Sequence, residues 1–420
     1  MATIITSLST AQIAAMSTAS IAKLTTEDWA AFSTAQIAAL TTQQMAAIPS
    51  ARLAGLSTTQ VAAIETADLR AITTAGIAAL TTDQLNVLSS TQMAALTNTQ
   101  VAAVSATKFA ALETENLNAL TTAQIAALTT AQVAAMTTVQ VAALETADVA
   151  AMTLTNVRAM TTQAVAALST EAIRALTTAQ VNGLTTRQVA ALTTEQVAAL
   201  ETADLRALST ASLNVFGTAA IAAISTEGIA ALSTAQAQSL TATQAGALGT
   251  EQLAAMGTAN LNALKAVAVA ALSTAQLEAL SSTQIAGLST AQVAALTTAQ
   301  FAGLVTEDLN ALTTAQVASL GSAKAAALTT TQVAAMETAD LRALTTTAVA
   351  ALSTAQLNAM ATEGVAALST TQLQAISGAK LAALDTTQIN ALSTAQVASL
   401  GTAQAAALTT AQVSAMETAD

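Results

Sequence analysis

An eight-residue repeat runs from Met1 through Met416 without a slip, giving 52 complete octads and a half octad at residues 417–420. Such a period is the mark of an array in which one small unit is stacked many times. Residues 121–128, TTAQIAAL, are typical. Position eight is Leu, Met, Ile, Val or Phe in every complete octad, and position five is aliphatic or aromatic except at Ala237, Ala245, Ala325 and Ala405. Positions three, six and seven are mostly Ala, position four mostly Gln, and positions one and two mostly Ser or Thr. No insertion, linker or change of composition interrupts the pattern. Residues 1–420 therefore read as a single repeat array with no internal boundary.

A continuous helix is excluded by the period. Eight residues at about 100° each turn through about 800°, so the stripe made by positions five and eight would rotate by about 80° per octad and never face one partner. A membrane-spanning helix is not expected, because the longest apolar run, residues 266–272, falls far short of the roughly 20 residues that a bilayer demands. The first residues show no basic segment followed by an apolar stretch, so no ordinary secretory signal is visible.

The pattern instead predicts a helix that restarts every eight residues. Ser or Thr at position one with Gln at position four matches a capping box, in which a hydroxyl caps a first-turn N–H and the Gln reaches back to the cap residue. The aliphatic residues at positions eight and five then sit as a hydrophobic staple around the start. A register one residue later is equally consistent: Thr at position two would cap, and Gly217, Gly249, Gly257, Gly321 and Gly401 at position one would end the previous helix in a left-handed conformation. Charge placement supports the helical reading independently. Of 24 acidic residues, 23 lie at positions one, three or four, and Lys23, Arg70, Arg158, Arg174, Arg206 and Arg342 lie at positions six or seven. Helix dipoles favour that sorting, whereas strands give no reason for it. A β-solenoid would also call for more Gly and β-branched residues than a chain dominated by Ala, Leu and Gln supplies.

The expected fold is thus an all-α solenoid of very short helices, six or seven residues each and one per octad. Helices of that length do not persist alone, so each must complete the core of its neighbours. Asn at position six suggests how they group: Asn86, Asn118, Asn182, Asn214, Asn262, Asn310, Asn358 and Asn390 are separated only by multiples of 16. Residues 313–340 and 393–420 are also near duplicates, offset by 80. These spacings predict an even number of helices per turn, two or four.

Candidate chemistry is sparse. The chain has no His, Cys or Tyr, which removes imidazole and thiolate catalysis, disulfides and the usual zinc and haem ligands. Twelve scattered basic residues make no footprint for nucleic acid. The string ETAD at Glu65–Asp68, Glu145–Asp148, Glu201–Asp204 and Glu337–Asp340 pairs two carboxylates that could share a helix face and hold a cation. No further oxygen ligand recurs in sequence, however, and Ca²⁺ takes six to eight; the pairs read as acids at helix starts. Trp29, Phe32, Phe109, Phe216 and Phe301 occupy core positions five or eight. The position-six Asn residues are expected as a polar ladder, a binding stripe or surface substitutions for Ala. Lys265 and Pro49, both at position one, read as changes at tolerant corners, where Pro is harmless. A regular Thr array invites an ice-binding reading, but capping consumes many of those hydroxyls. No catalytic, cofactor-binding or metal residue is expected, and no enzyme.

The strings LTTAQVAAL and LSTAQIAAL, with their variants along the whole chain, resemble tandem octad stretches of very large bacterial secreted or cell-surface proteins of the adhesin type, often with RTX-like features. The calcium-binding G-G-x-G-x-D nonads of RTX proteins are absent here. The resemblance implies an extracellular or cell-surface location and a scaffold role. The resulting expectation is a non-enzymatic spacer, stalk or self-stacking scaffold. The alternative is a rod with one face that binds protein, glycan or ice. Because ETAD at residues 417–420 stops where other copies continue, an open apolar end is also expected, one that continues into a longer parent chain or associates end to end.

Overall fold

The computed structural model describes residues 4–416. Among them are 51 α-helices, a 3-10 turn at Ile4–Ser7 and no strand. The helices are five or six residues long, apart from Ser50–Leu53, Ala266–Val269 and Gly378–Leu381, which have four. They are therefore slightly shorter than expected. The difference lies at the C-terminal end, where the position-eight residue leaves the helix: Leu96 has φ −57° and ψ 143°, while its N–H still bonds the Met93 carbonyl at 3.3 Å. The next residue is extended as well, Thr97 having φ −74° and ψ 155°. Two successive extended residues make each corner.

Capping settles the register at position one. Thr129 Oγ1 accepts from the Gln132 N–H at 3.2 Å, and the Gln132 Oε1 accepts from the Thr129 N–H at 2.9 Å. The alternative with left-handed Gly at position one does not occur. Gly217, Gly249, Gly257, Gly321 and Gly401 are helix N-caps with φ between −63° and −79°, and no described residue has positive φ. Pro49 is also an N-cap, at φ −61°, where its missing N–H leaves no helical bond unmade.

The chain packs as two compact units, Met1–Leu208 and Ser209–Asp420; the octad register is the same in both. In the first unit helices pack on the third along the chain, as Ala106–Ala110 does on Thr130–Ala135. The second unit repeats the scheme, with Ser322–Ala327 on Thr346–Ala351. A turn of either coil therefore takes three helices and 24 residues. The solenoid of short helices holds, but the even count does not. Asn at position six explains why its spacing misled: Asn86 Nδ2 donates to the Ala111 carbonyl on the helix three further on, an odd step that imposes no parity.

Positions five and eight fill the triangular interior. Val133, Val181, Val293 and Val317 at position five are fully buried, and position-eight residues such as Leu128 and Leu296 are nearly so. Trp29 and Phe32 stack in this core with centroids 4.8 Å apart, as their positions foretold. Position seven is mostly small, and it meets the previous turn: a Cβ on Gly287 would lie 3.3 Å from Thr258 Cβ, and one on Gly303 would lie 3.3 Å from Thr274 Cγ2. Val413 at position five of the last described octad is 55% exposed, the surface that a following turn covers elsewhere. The ETAD ending at residues 417–420 lies outside the described residues.

Candidate functional site

The chemistry of this chain is concentrated at the corners, and its main agent is the position-four Gln. Gln occupies that position in 28 of the 52 octads, whereas Glu, which a capping box accepts equally well, occurs there in none. The far end of the side chain supplies the reason. Gln132 Nε2 donates to the carbonyls of Val101 and Val104 at 2.8 and 2.9 Å, at the corner one turn below. The Val104 carbonyl is an orphan that its short helix cannot satisfy, while that of Val101, which already accepts from the Val104 N–H at 3.1 Å, takes the Gln132 donor as a second bond. One buried carboxamide thus caps its own helix with the oxygen and ties two turns together with the nitrogen. Gln292 in the second unit does the same, donating to the Leu261 and Leu264 carbonyls at 2.8 Å each. Capping alone was read from the sequence; the donor role was missed, although the exclusion of Glu signals it, because a carboxylate has no proton to give.

Other residues at position four confirm that the corner wants a donor. Asn116 Nδ2 reaches the Leu85 and Leu88 carbonyls at 3.0 and 3.1 Å. Lys108 and Lys380 place Nζ 2.6 Å from the carbonyls of Ala78 and Ala350. Each of these lysines thus turns its ammonium to a carbonyl of the turn below.

Ala and Gly at position four carry no donor, as at Ala164 and Gly76, and Asp, which is where the ETAD strings fall, offers only acceptors when ionised. Asp68, Asp148, Asp204 and Asp340 are buried, each only 3–4% exposed, while Glu65, Glu145, Glu201 and Glu337 stay outside as N-caps. The two carboxylates of each pair therefore do not share an exposed face. Burial, aided by the neighbouring Glu145 or Glu337, pushes the Asp148 and Asp340 carboxyls up to about 6. Asp68 rises for the same reasons. Asp204 and Asp308 also rise through burial, and each is offset by a hydroxyl, Thr178 on the former and Ser282 Oγ at 3.0 Å on the latter.

Three exposed acids at position three move the opposite way. Backbone N–H groups of the first turn and the adjacent Thr hydroxyl hold Glu171, Glu195 and Glu227 below the usual carboxylate range. This is what acids at a helix start gain, and it is the local reason for the charge sorting in the sequence.

Asn at position six closes the C-terminal side of the corner. Asn86 donates to the Ala111 carbonyl and accepts from the Glu113 N–H, both at 3.1 Å. Asn118 and Asn310 donate to Ala143 and Ala335 at 2.8 Å, and their Oδ1 atoms are buried without a partner. Of the readings offered by sequence, these contacts select an interturn polar contact.

Surface hollows bring together little. One of about 420 Å³ is lined by Ala222, Ile224, Thr226, Ala247 and the first residues of the helix Thr250–Ala255, with Glu251 its single carboxylate. Another carries Glu65 as its only charge. Among the described residues no three acidic side chains gather into a metal-holding group, and no helix is long and apolar enough to cross a membrane.

Three-helix turns joined by a repeated glutamine corner define a tandem-repeat helical solenoid. The family model of the ALTTAQ repeat matches thirteen segments, several of them overlapping, from residues 21–58 through 109–144 and 253–290 to 381–418. Together they cover most of the chain, which belongs to the ALTTAQ repeat family. No curated protein matches it.

Proposed function

We propose that this chain is a non-enzymatic structural module, a stiff spacer or stalk whose reach is set by the number of octads. The observation that supports this most directly is the glutamine corner, which recurs on every side of the coil, so that each turn is completed by the one beneath it and turns are interchangeable. Contacts of this kind run only between adjacent turns, which is how quasi-one-dimensional repeat proteins extend without a size limit. An extracellular or cell-surface setting suits this role, as does growth by stacking onto a further array.

The distribution of charge favours the spacer over a rod with one binding face. In the first unit the eight basic residues divide among the three sides: Lys23, Arg70 and Arg187 on one, Arg52 and Arg174 on the second, Lys108, Arg158 and Arg206 on the third. Small-angle X-ray scattering on the chain and on variants lengthened or shortened by six octads tests the proposal. With turns spaced about 9 Å apart, each change of six octads is expected to alter the maximum dimension by about 18 Å. A maximum dimension that does not follow octad number would overturn it.

A further inference from the structure

At position four the contact with the corner carbonyls is made by donors, the Nε2 of Gln, the Nδ2 of Asn116, Asn156 and Asn260, and the Nζ of Lys108, whereas Asp308 accepts from the Ser282 hydroxyl of the turn below. Asp148 has the length of those Asn side chains and the same place in the octad. By register, the carbonyls of Leu117 and Leu120 hold the place before Asp148 that those of Leu85 and Leu88 hold before Asn116. An ionised carboxylate turned to those carbonyls would bring oxygen against oxygen with no hydrogen between. Asp148 is 4% exposed, and its Oδ2 is buried without a hydrogen-bond partner. Asp340 holds the same register place relative to Leu309 and Leu312 and is also 4% exposed.

We propose that Asp148 and Asp340 are proton-binding sites, taking a proton from solvent and donating it as neutral carboxylic acids to the carbonyls of the turn below, so that these corners tighten in mild acid and loosen at neutral pH. The charged groups nearby favour proton uptake. Asp148 has Glu145 on its own helix, Glu113 and Glu115 on the octad whose carbonyls it faces, no charge on Thr122–Ala126 below, and Glu171 with Arg174 on Thr170–Ala175 above. Asp340 has Glu337 and Arg342 on its own octad, Glu307 and Asp308 on the facing one, no charge on Thr314–Ala318 below, and Glu363 on Thr362–Ala367 above. Acids outnumber bases around both.

The sign follows. Both carboxyls are raised to about 6 in the folded chain, so the folded state holds protons that the unfolded state has released, and stability falls as pH rises from the ordinary Asp value of about 4 through about 6. Asn is accommodated at this position three times over, so the variant Asp148→Asn/Asp340→Asn folds. It is expected to melt several degrees above the parent at about pH 7.5 and level with it at about pH 4.5. Carbon-13 carboxyl titration of the full chain should find two Asp signals with midpoints near 6. Ordinary midpoints for every Asp, or equal melting of variant and parent at both pH values, would overturn the proposal. So would calcium or sodium chloride raising the melting temperature of the parent, but not of the double variant, at about pH 7.5, since a metal cation would then occupy the place assigned to the proton.

Discussion

Leu154 fills the space that a side chain on Gly183 would need: a Cβ built on Gly183 would stand 1.9 Å from Leu154 Cδ1. Both residues depart from the common octad, Leu154 replacing the usual Thr at position two and Gly183 the usual Ala at position seven. They meet because position seven of one turn rests on position two of the turn below, and the large residue of the pair is matched by the smallest. Gly183→Ala should therefore destabilise the chain. Leu154 is 42% exposed and can rotate outward, which puts the loss near the low end of overpacking, about 1 kcal/mol. Leu154→Thr should remove that penalty, so a four-variant cycle read by urea melts should show a coupling of at least about 0.5 kcal/mol.

The same pair shows how far the sequence alone leads. The octad, the all-helical solenoid, the two core positions and the caps are legible because each is local: a hydroxyl and a Gln three residues apart, or two aliphatic residues at fixed places. The pairing of Leu154 with Gly183 spans 29 residues and is legible only once the turn is known to take 24. The turn length was misread as even because position-six Asn recurs at multiples of 16, a spacing that has no counterpart in the packing. The donor role of Gln was hidden for the same reason, since Gln132 meets its carbonyls 28 and 31 residues back. That an acid would be buried at Asp148 could not be seen while its environment, the corner below, had no address in the sequence.

Substitution of a single corner glutamine separates its two tasks. Gln124 Oε1 accepts from the Thr121 N–H at 2.6 Å, while Nε2 donates to the Met93 and Leu96 carbonyls at 3.0 and 2.7 Å. Gln124→Asn keeps a donor, as Asn116 does, and should be the mildest change. Gln124→Ala loses the acceptor and the donor and should cost about 1–3 kcal/mol, since buried polar groups are left unpaired. Gln124→Glu keeps the cap but turns a charge toward two carbonyls, so it should be worse than Ala at about pH 7.5 and recover in acid as the carboxyl protonates. Chemical melts of the four chains check the order Gln, Asn, Ala, Glu; Glu equal to Gln at neutral pH would mean that the capping acceptor is all that matters.

Equivalence of the three sides makes a deletion test. Removing residues 121–128, one octad, moves every later octad one side around the coil but leaves each position four facing a corner of the turn below. Removing residues 125–128 carries later core positions to the outside. The octad deletion should keep cooperative melting and a helical circular dichroism signal per residue like that of the parent, while the four-residue deletion should lose helicity beyond the residues removed. Equal tolerance of both would contradict the corner geometry.

Asp385 carries a pH dependence opposite in sign to that of Asp148. It is an N-cap, and its Oδ1 accepts from the Thr387 hydroxyl at 2.6 Å and the Gln388 N–H at 2.8 Å. Those donors hold the carboxyl below the usual Asp range. A depressed folded value means that the unfolded chain takes up its proton first as pH falls. The stabilisation is then fully present above the ordinary Asp value of about 4 and disappears as pH drops through the lower folded value. Asp385→Ser keeps a capping oxygen without the charge, as Ser369 does at the same position. Amide hydrogen exchange in the helix Thr386–Asn390 should show the parent losing protection relative to the Ser variant on acidification from about pH 5 to about pH 3, with no such difference in the helix Thr370–Ala375. Parallel loss in both chains would mean that the cap acts through its hydrogen bonds without a contribution from ionisation.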